Sequence, residues 1–199
     1  MQSSNNLGPV LHVPCQKNPD PSFPTVKFPN PEEKGALNEA MAFADLHDCQ
    51  LIIANDPDAD RLAAAERVES PSGDAIWRLF TGNEIGIILG HYQIKNYLEA
   101  QKKSTIPLKP AAVVTTVVSS KMLNKIADAE GIKYSDTLTG FKWIGNESIR
   151  LQDAGFTVLF SYEEALGAMY SALQVFLNCC CLFCVVVVIC RLLCWRCTD

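Results

Sequence analysis

Asp56, Asp58 and Asp60 stand at alternate positions of "LIIANDPDADRLAAAE" (residues 51–66), between two apolar runs. Three carboxylates this close repel one another unless a cation sits among them. In an extended segment alternate side chains point to one side. The three acids are therefore expected to converge on one point, with Pro57 stiffening the chain between the first two. Hard oxygen donors of this kind suit Mg²⁺ or Ca²⁺, whereas zinc prefers His and Cys. An EF-hand calcium loop also starts D-x-D-x-D, but it requires Gly at its sixth position and Glu at its twelfth. Here those positions hold Arg61 and Arg67, which excludes it. Arg61 makes sense if an anion shares the site, because Mg²⁺ is usually held by a few carboxylates plus a substrate phosphate that Arg can also clamp. The spacing fits equally well an acidic turn at a strand end, with Arg61 paired to one Asp.

The loop needs elements to hold it. "CQLIIA" (49–54) is a short apolar run, β-branched at its centre, and reads as a buried strand whose C-terminal end carries the acids. Upstream, residues 14–31 hold six prolines and read as an extended surface segment. "NPEE" (30–33) supplies an Asn cap and a first-turn Pro for a helix placed over 36–48. Downstream, "AIWRLF" (75–80) reads as a strand and "TGNE" (81–84) as a capping box opening an amphipathic helix. "PAAVVTTVV" (110–118), "IKYSDT" (132–137) and "FTVLFSY" (156–162) read as further strands. Between them lie a Ser-capped helix stopped by Gly131 and a helix from "GFKWIGN" to Gly155. Strands alternating with helices imply layered α/β/α domains with a mixed sheet.

A 48% hydrophobic, 20% charged composition is that of an ordinary globular protein, and a net charge of -5 argues against nucleic acid as the main partner. The polar, Pro-bearing start MQSSNNLGPVLHVP lacks the pattern of a secretory signal. Cys15 and Cys49 are the cysteines of the first 170 residues, which reads as reducing, cytoplasmic chemistry. The other seven crowd "CCCLFCVVVVICRLLCWRC" (179–197), which has no helical stripe, no strand alternation and no turn signal. Extended back to Ala172, this tail reaches bilayer-spanning length only by including Gln174 and Asn178. Membrane contact is expected only if the tail is a true anchor; the favoured reading is a non-native end from splicing or a gene boundary.

Three stretches together resemble the α-D-phosphohexomutases. "DPDADR" (56–61) is similar to that family's metal loop, "TLTGFKWIGN" (137–146) to its T-x-T-G-aromatic-K segment, and "YEEALG" (162–167) to its sugar-binding loop, in the family's order. "NPDPSFPTVKFPNPEE", "TGNEIG" and "TTVVSSKML" resemble the phosphoglucomutase-2-like branch, which covers phosphopentomutase and glucose-1,6-bisphosphate synthase activities. The resemblance implies the C-terminal part of mutase domain 2 over 1–68, most of domain 3 over 75–170, and a non-family tail over 171–199. It implies that Asp56, Asp58 and Asp60 bind Mg²⁺, that Arg61 stabilises the transferring phosphate, and that Thr139, Gly140 and Lys142 face the substrate. Glu163 would accept hydrogen bonds from sugar hydroxyls. Ala165 stands where many mutases carry Ser, which fits a different sugar preference. The implied substrates are glucose, ribose or deoxyribose phosphates, with glucose 1,6-bisphosphate or a related bisphosphate as activator and intermediate.

Plainer roles compete with these. Lys142 fits a solvated helix-start lysine, Glu163 and Glu164 a surface acidic pair, and Ser119 and Ser120 helix caps. His12, His47 and His91 have no motif around them. A Mg²⁺- or phosphosugar-binding module without catalysis also fits. No T-A-S-H-N-P-like stretch occurs, so the nucleophilic serine is missing, as are the D-K-D-G segment and the distal phosphate-gripping domain. The expectation is a fragment inactive by itself, since the advantage of positioning is lost without its donor. Its first sheet is expected to have an unpaired edge.

Overall fold

The computed structural model describes residues 10–18 and 20–170, together with the backbone of 186–189. The described chain divides into two compact units after Phe80, and 186–189 belong to the first.

The first unit is a sheet with one helix. Strands β1 (Val10–His12), β2 (Leu51–Asn55), β3 (Leu62–Glu69), β4 (Ala75–Leu79) and β9 (Val186–Ile189) lie in the order β1-β9-β2-β3-β4, and each neighbouring pair is antiparallel. Helix α1 (Asn38–Leu46) begins two residues later than expected. Gly35, at φ 88°, and turns over 31–37 occupy the stretch that "NPEE" promised to the helix, and the Asn30 carboxamide oxygen caps only the Glu32 N–H, at 3.1 Å. Ile52, Ala54, Ala63 and Ala65 are buried with Ala40 and Ala44 of α1. The proline-rich segment lines an open apolar pocket of about 340 Å³ through Phe23, Pro24 and Phe28, with Leu37 and Ala54 also in its wall.

Three expectations change here. β3 was not anticipated, because "LAAAE" is a good local helix former; its pairing with β2 from Leu51↔Glu66 to Asn55↔Leu62 overrides that propensity. β4 joins this first sheet rather than opening the second domain at residue 75. Residues 186–189 of the supposedly patternless tail form a strand between β1 and β2, covering the edge of β2 that was expected to stay open. A run of β-branched residues is the composition that pairs most readily with such an edge. The tail-anchor reading otherwise lies outside the described residues, and among the described residues no helix is long and apolar enough to cross a membrane.

The second unit is a layered α/β/α body. Strands β5 (Ala111–Thr116), β6 (Lys133–Thr137) and β7 (Thr157–Tyr162) are parallel, and the short β8 (Ala168–Met169) returns antiparallel on β7, giving the order β6-β5-β7-β8. Every residue of β5 is buried, as a central parallel strand covered on both faces must be. Ala111 and Val113 pack with Phe160 of β7, Ile94 of α2 (Gly82–Lys103) and Leu123 and Ala127 of α3 (Met122–Ala129). Ala112 and Val114 pack with Ile144 and Leu151 of α4 (Phe141–Asp153) on the other face. The Thr81–Glu84 capping box forms as read, with the Thr81 hydroxyl accepting the Glu84 N–H at 3.2 Å. Gly86 and Gly90 let α2 approach β7: a β-carbon at Gly86 would enter the Tyr162 ring, and one at Gly90 would crowd Leu123 and Phe160.

Candidate functional site

In the first unit, β2 and β3 form a hairpin whose last pair is Asn55↔Leu62, so the acidic residues occupy its connecting loop. The loop is a turn, not the extended segment expected from alternation. Ala59 takes a left-handed φ of 58°, and its N–H donates to the Asp56 carbonyl at 3.0 Å. The Asp56 Oδ1 accepts the Arg61 N–H at 3.1 Å, and the Asn55 side-chain amide donates to the Arg61 carbonyl at 2.9 Å. Folding back in this way brings one carboxylate oxygen from each of Asp56, Asp58 and Asp60 within 4.8 Å of one another, Asp56 buried and the other two exposed.

The electrostatics follow from that crowding. Burial pushes the Asp56 carboxyl up to about 7; the Arg61 N–H pulls the other way, and hydrogen bonding with Asp60 and Asp58 adds to the rise. The Arg61 guanidinium reaches Asp56 Oδ2 only at 3.9 Å. One contact of that length leaves most of the charge of three carboxylates uncompensated, although it is also the pairing of Arg61 with one Asp that an acidic turn at a strand end would show. All three donors are hard oxygens, so the residues fit Mg²⁺ or Ca²⁺ and offer nothing of the nitrogen and sulfur set zinc favours.

In the second unit, the other expected residues gather at the C-terminal ends of the parallel strands, where open α/β sheets form their ligand crevices. Thr139 is exposed on the turn between β6 and α4, and Lys142 is exposed in the first turn of α4. Gly140, at φ 113°, is the N-cap of α4. Its N–H donates to Glu163 Oε2 at 3.1 Å, joining the β6–α4 turn to the loop that follows β7. That loop closes on itself through the Glu163 N–H and the Gly167 carbonyl at 3.0 Å. Gly167 lies against the Phe141 ring and leaves no room for a β-carbon. Glu163 and Glu164 are thus not a solvated surface pair. Glu164 Oε2 accepts from the Thr116 hydroxyl at 3.0 Å and the Ser119 hydroxyl at 3.1 Å. Neither Thr116 nor this use of Ser119 was anticipated, because nothing local to "TTVVSS" shows that a carboxylate 45 residues away in sequence meets it. Ser120 does act at the start of α3, accepting the Met122 N–H at 3.3 Å.

Two α/β units, one carrying an oxygen-rich loop and the other polar loop residues at its strand ends, match known families directly. Residues 2–69 match phosphoglucomutase/phosphomannomutase, alpha/beta/alpha domain II, and residues 81–175 match the corresponding domain III. The chain belongs to the phosphoglucomutase/phosphomannomutase family, whose members are sugar-phosphate mutases. Within it, the chain is 50% identical over 164 residues to the phosphoribomutase of Saccharomyces cerevisiae, which covers 82% of this chain and 26% of that protein. It is 48% identical over 165 residues to the phosphopentomutase of Homo sapiens, with 82% and 26% covered. It is 42% identical over 160 residues to the human glucose 1,6-bisphosphate synthase, with 80% and 25% covered. The chain therefore spans about a quarter of the length of these relatives.

Proposed function

We propose that this chain supplies the metal loop and the sugar-reading loop of a mutase that moves a phosphoryl group within a sugar phosphate, by way of an enzyme phosphoserine and a sugar bisphosphate. The observation that carries the reading is the convergence of three carboxylate oxygens within 4.8 Å beside Arg61. Asp56, Asp58 and Asp60 are the residues to hold Mg²⁺. A bound Mg²⁺ supplies positive charge where phosphate oxygens gather, and phosphoryl transfer depends chiefly on such positioning and charge stabilisation. Arg61 adds a fixed cation at the same end of the hairpin, suited to a phosphate oxygen. Glu163, which accepts the Gly140 N–H, is the carboxylate placed to accept hydrogen bonds from sugar hydroxyls. Thr139 and Lys142 stand exposed beside it for the substrate's polar groups.

The phosphoribomutase and phosphopentomutase relatives favour a pentose phosphate, with glucose phosphate or glucose 1,6-bisphosphate as the alternative. Ala165, in place of a hydroxyl-bearing residue, fits that preference. With no T-A-S-H-N-P stretch in the printed sequence, the chain alone is expected to bind without turning over. Calorimetry with Mg²⁺ followed by ribose 1-phosphate tests this. The expected result is binding of both, with Mg²⁺ binding lost in Asp58→Ala. Interconversion of ribose 1-phosphate by the isolated chain would contradict the inactivity, and absence of Mg²⁺ binding would contradict the metal role.

A further inference from the structure

We infer that Glu164 is a positioning residue that aims Glu163 at the β6–α4 turn, the proposed sugar side of the loop, by anchoring the loop to a buried hydroxyl pair, Thr116 and Ser119. The inference rests on the reading of Glu163 given above and adds what holds it in place.

Thr116 is 0% exposed and Ser119 4%. Their oxygens lie 2.8 Å apart, and the Ser119 N–H donates to the Thr116 hydroxyl oxygen at 3.2 Å. Two buried hydroxyls have two hydrogens to place, and a buried O–H without an acceptor is costly. Glu164 Oε2, at 3.0 and 3.1 Å, can take both. Hydroxyl-to-carboxylate bonds are charge-assisted and roughly twice as strong as neutral ones. The end of β5 thus needs an acceptor, and the loop after β7 provides it.

The backbone confirms how tightly the loop is seated. Gly82, at the start of α2, lies against the Glu164 carbonyl and the Leu166 N–H, with no space for a β-carbon. Leu166 is buried with φ 65°, a conformation a branched side chain adopts only when its surroundings impose it. With Glu164 fastened beneath the loop, the preceding side chain is turned the other way, where its carboxylate accepts the Gly140 N–H at 3.1 Å. Thr116, Ser119 and Glu164 together therefore set the direction of Glu163 without standing at its acceptor position.

The test uses the full 199-residue chain labelled for NMR, comparing Glu164→Ala, Glu164→Gln and the double variant Thr116→Val/Ser119→Ala. The signals read are the Gly140 amide, the amides of 163–167 and the Glu163 carboxyl carbon. Glu164→Ala is expected to shift the Gly140 and Glu163 signals and to speed amide exchange over 163–167 by about tenfold, the effect of losing roughly 1.4 kcal/mol of local closure. Glu164→Gln keeps a carbonyl acceptor and is expected to restore most of the pattern. Adding Thr116→Val/Ser119→Ala to Glu164→Ala is expected to change little further. Unchanged Gly140 and Glu163 signals in Glu164→Ala would overturn the inference, as would a Gln variant no better than Ala. If the hydroxyl variant does not fold, the Ala and Gln comparison decides alone. An unaltered chain that binds no sugar phosphate but shows this Ala and Gln pattern would support the positioning role and count against the functional reading.

Discussion

The two loops treat their carboxylates in opposite ways. Around Glu163 and Glu164 the oxygens meet a backbone N–H and two buried hydroxyls, so the loop is assembled before any ligand arrives. Around Asp56, Asp58 and Asp60 the oxygens mainly meet one another, with one backbone N–H and a guanidinium contact at 3.9 Å in opposition. On the proposed reading, the first would present fixed hydrogen-bonding groups to the hydroxyls of a sugar phosphate. The second crowds like charges that a divalent cation would relieve. Binding energy is gained where charges are left uncompensated, and selectivity is gained where donors and acceptors are fixed in advance.

The contrast breaks most visibly if the acids are not the metal site. Asp58→Ala removes one of three hard donors while leaving the buried hydrogen bonds of Asp56 in place; Mg²⁺ affinity measured by calorimetry is expected to fall by about 100-fold, roughly 2.7 kcal/mol. The pre-assembled loop is broken through its backbone instead. Gly140→Ala places a β-carbon on a φ of 113°, which a side-chain-bearing residue rarely adopts. Thermal or denaturant unfolding is expected to show a loss of about 1–3 kcal/mol, with Mg²⁺ affinity unchanged. Lys142→Ala is a milder probe. Ribose 1-phosphate affinity is expected to drop by about fivefold, roughly 1 kcal/mol, as befits an exposed cation meeting a phosphate. Arg67→Ala, which removes an ion pair to the exposed Asp48, belongs to neither loop and is expected to cost at most about 0.5 kcal/mol of stability.

Legibility in the sequence followed the same divide. The cluster of three acids could be found from residue types and spacing alone, although that spacing did not separate a metal loop from an acidic turn. Its shape could not: Ala59 carries no signal for the left-handed turn that folds the loop, because alanine enters that region only when the surrounding hairpin forces it. Strands β5 and β7 and the capped start of α2 were readable because burial on both faces and a capping box leave direct local marks. β3 was not, because its alanines favour helix and only pairing with β2 and β4 makes them a strand. The anchoring of Glu164 was illegible for a similar reason. Its partners Thr116 and Ser119 come from another strand end, and their hydroxyls look like ordinary strand and cap residues until the sheet brings them beneath the loop.

The raised Asp56 carboxyl gives the central claim its most direct test. Because its folded value is about 7 against an ordinary 3.8, it carries a proton through the mildly acidic range. The ion-free fold therefore loses stability as pH rises from about 4 toward 7, and a cation must displace that proton to bind. Mg²⁺ calorimetry across pH 5.5–8, in buffers of different ionisation enthalpy, reads both affinity and protons released. The expected result is affinity that falls by up to about tenfold per pH unit below 7, approaching one proton released there and almost none at pH 8. Mg²⁺ that fails to bind at any pH, or that binds Asp56→Asn as well as the unaltered chain, would contradict the account.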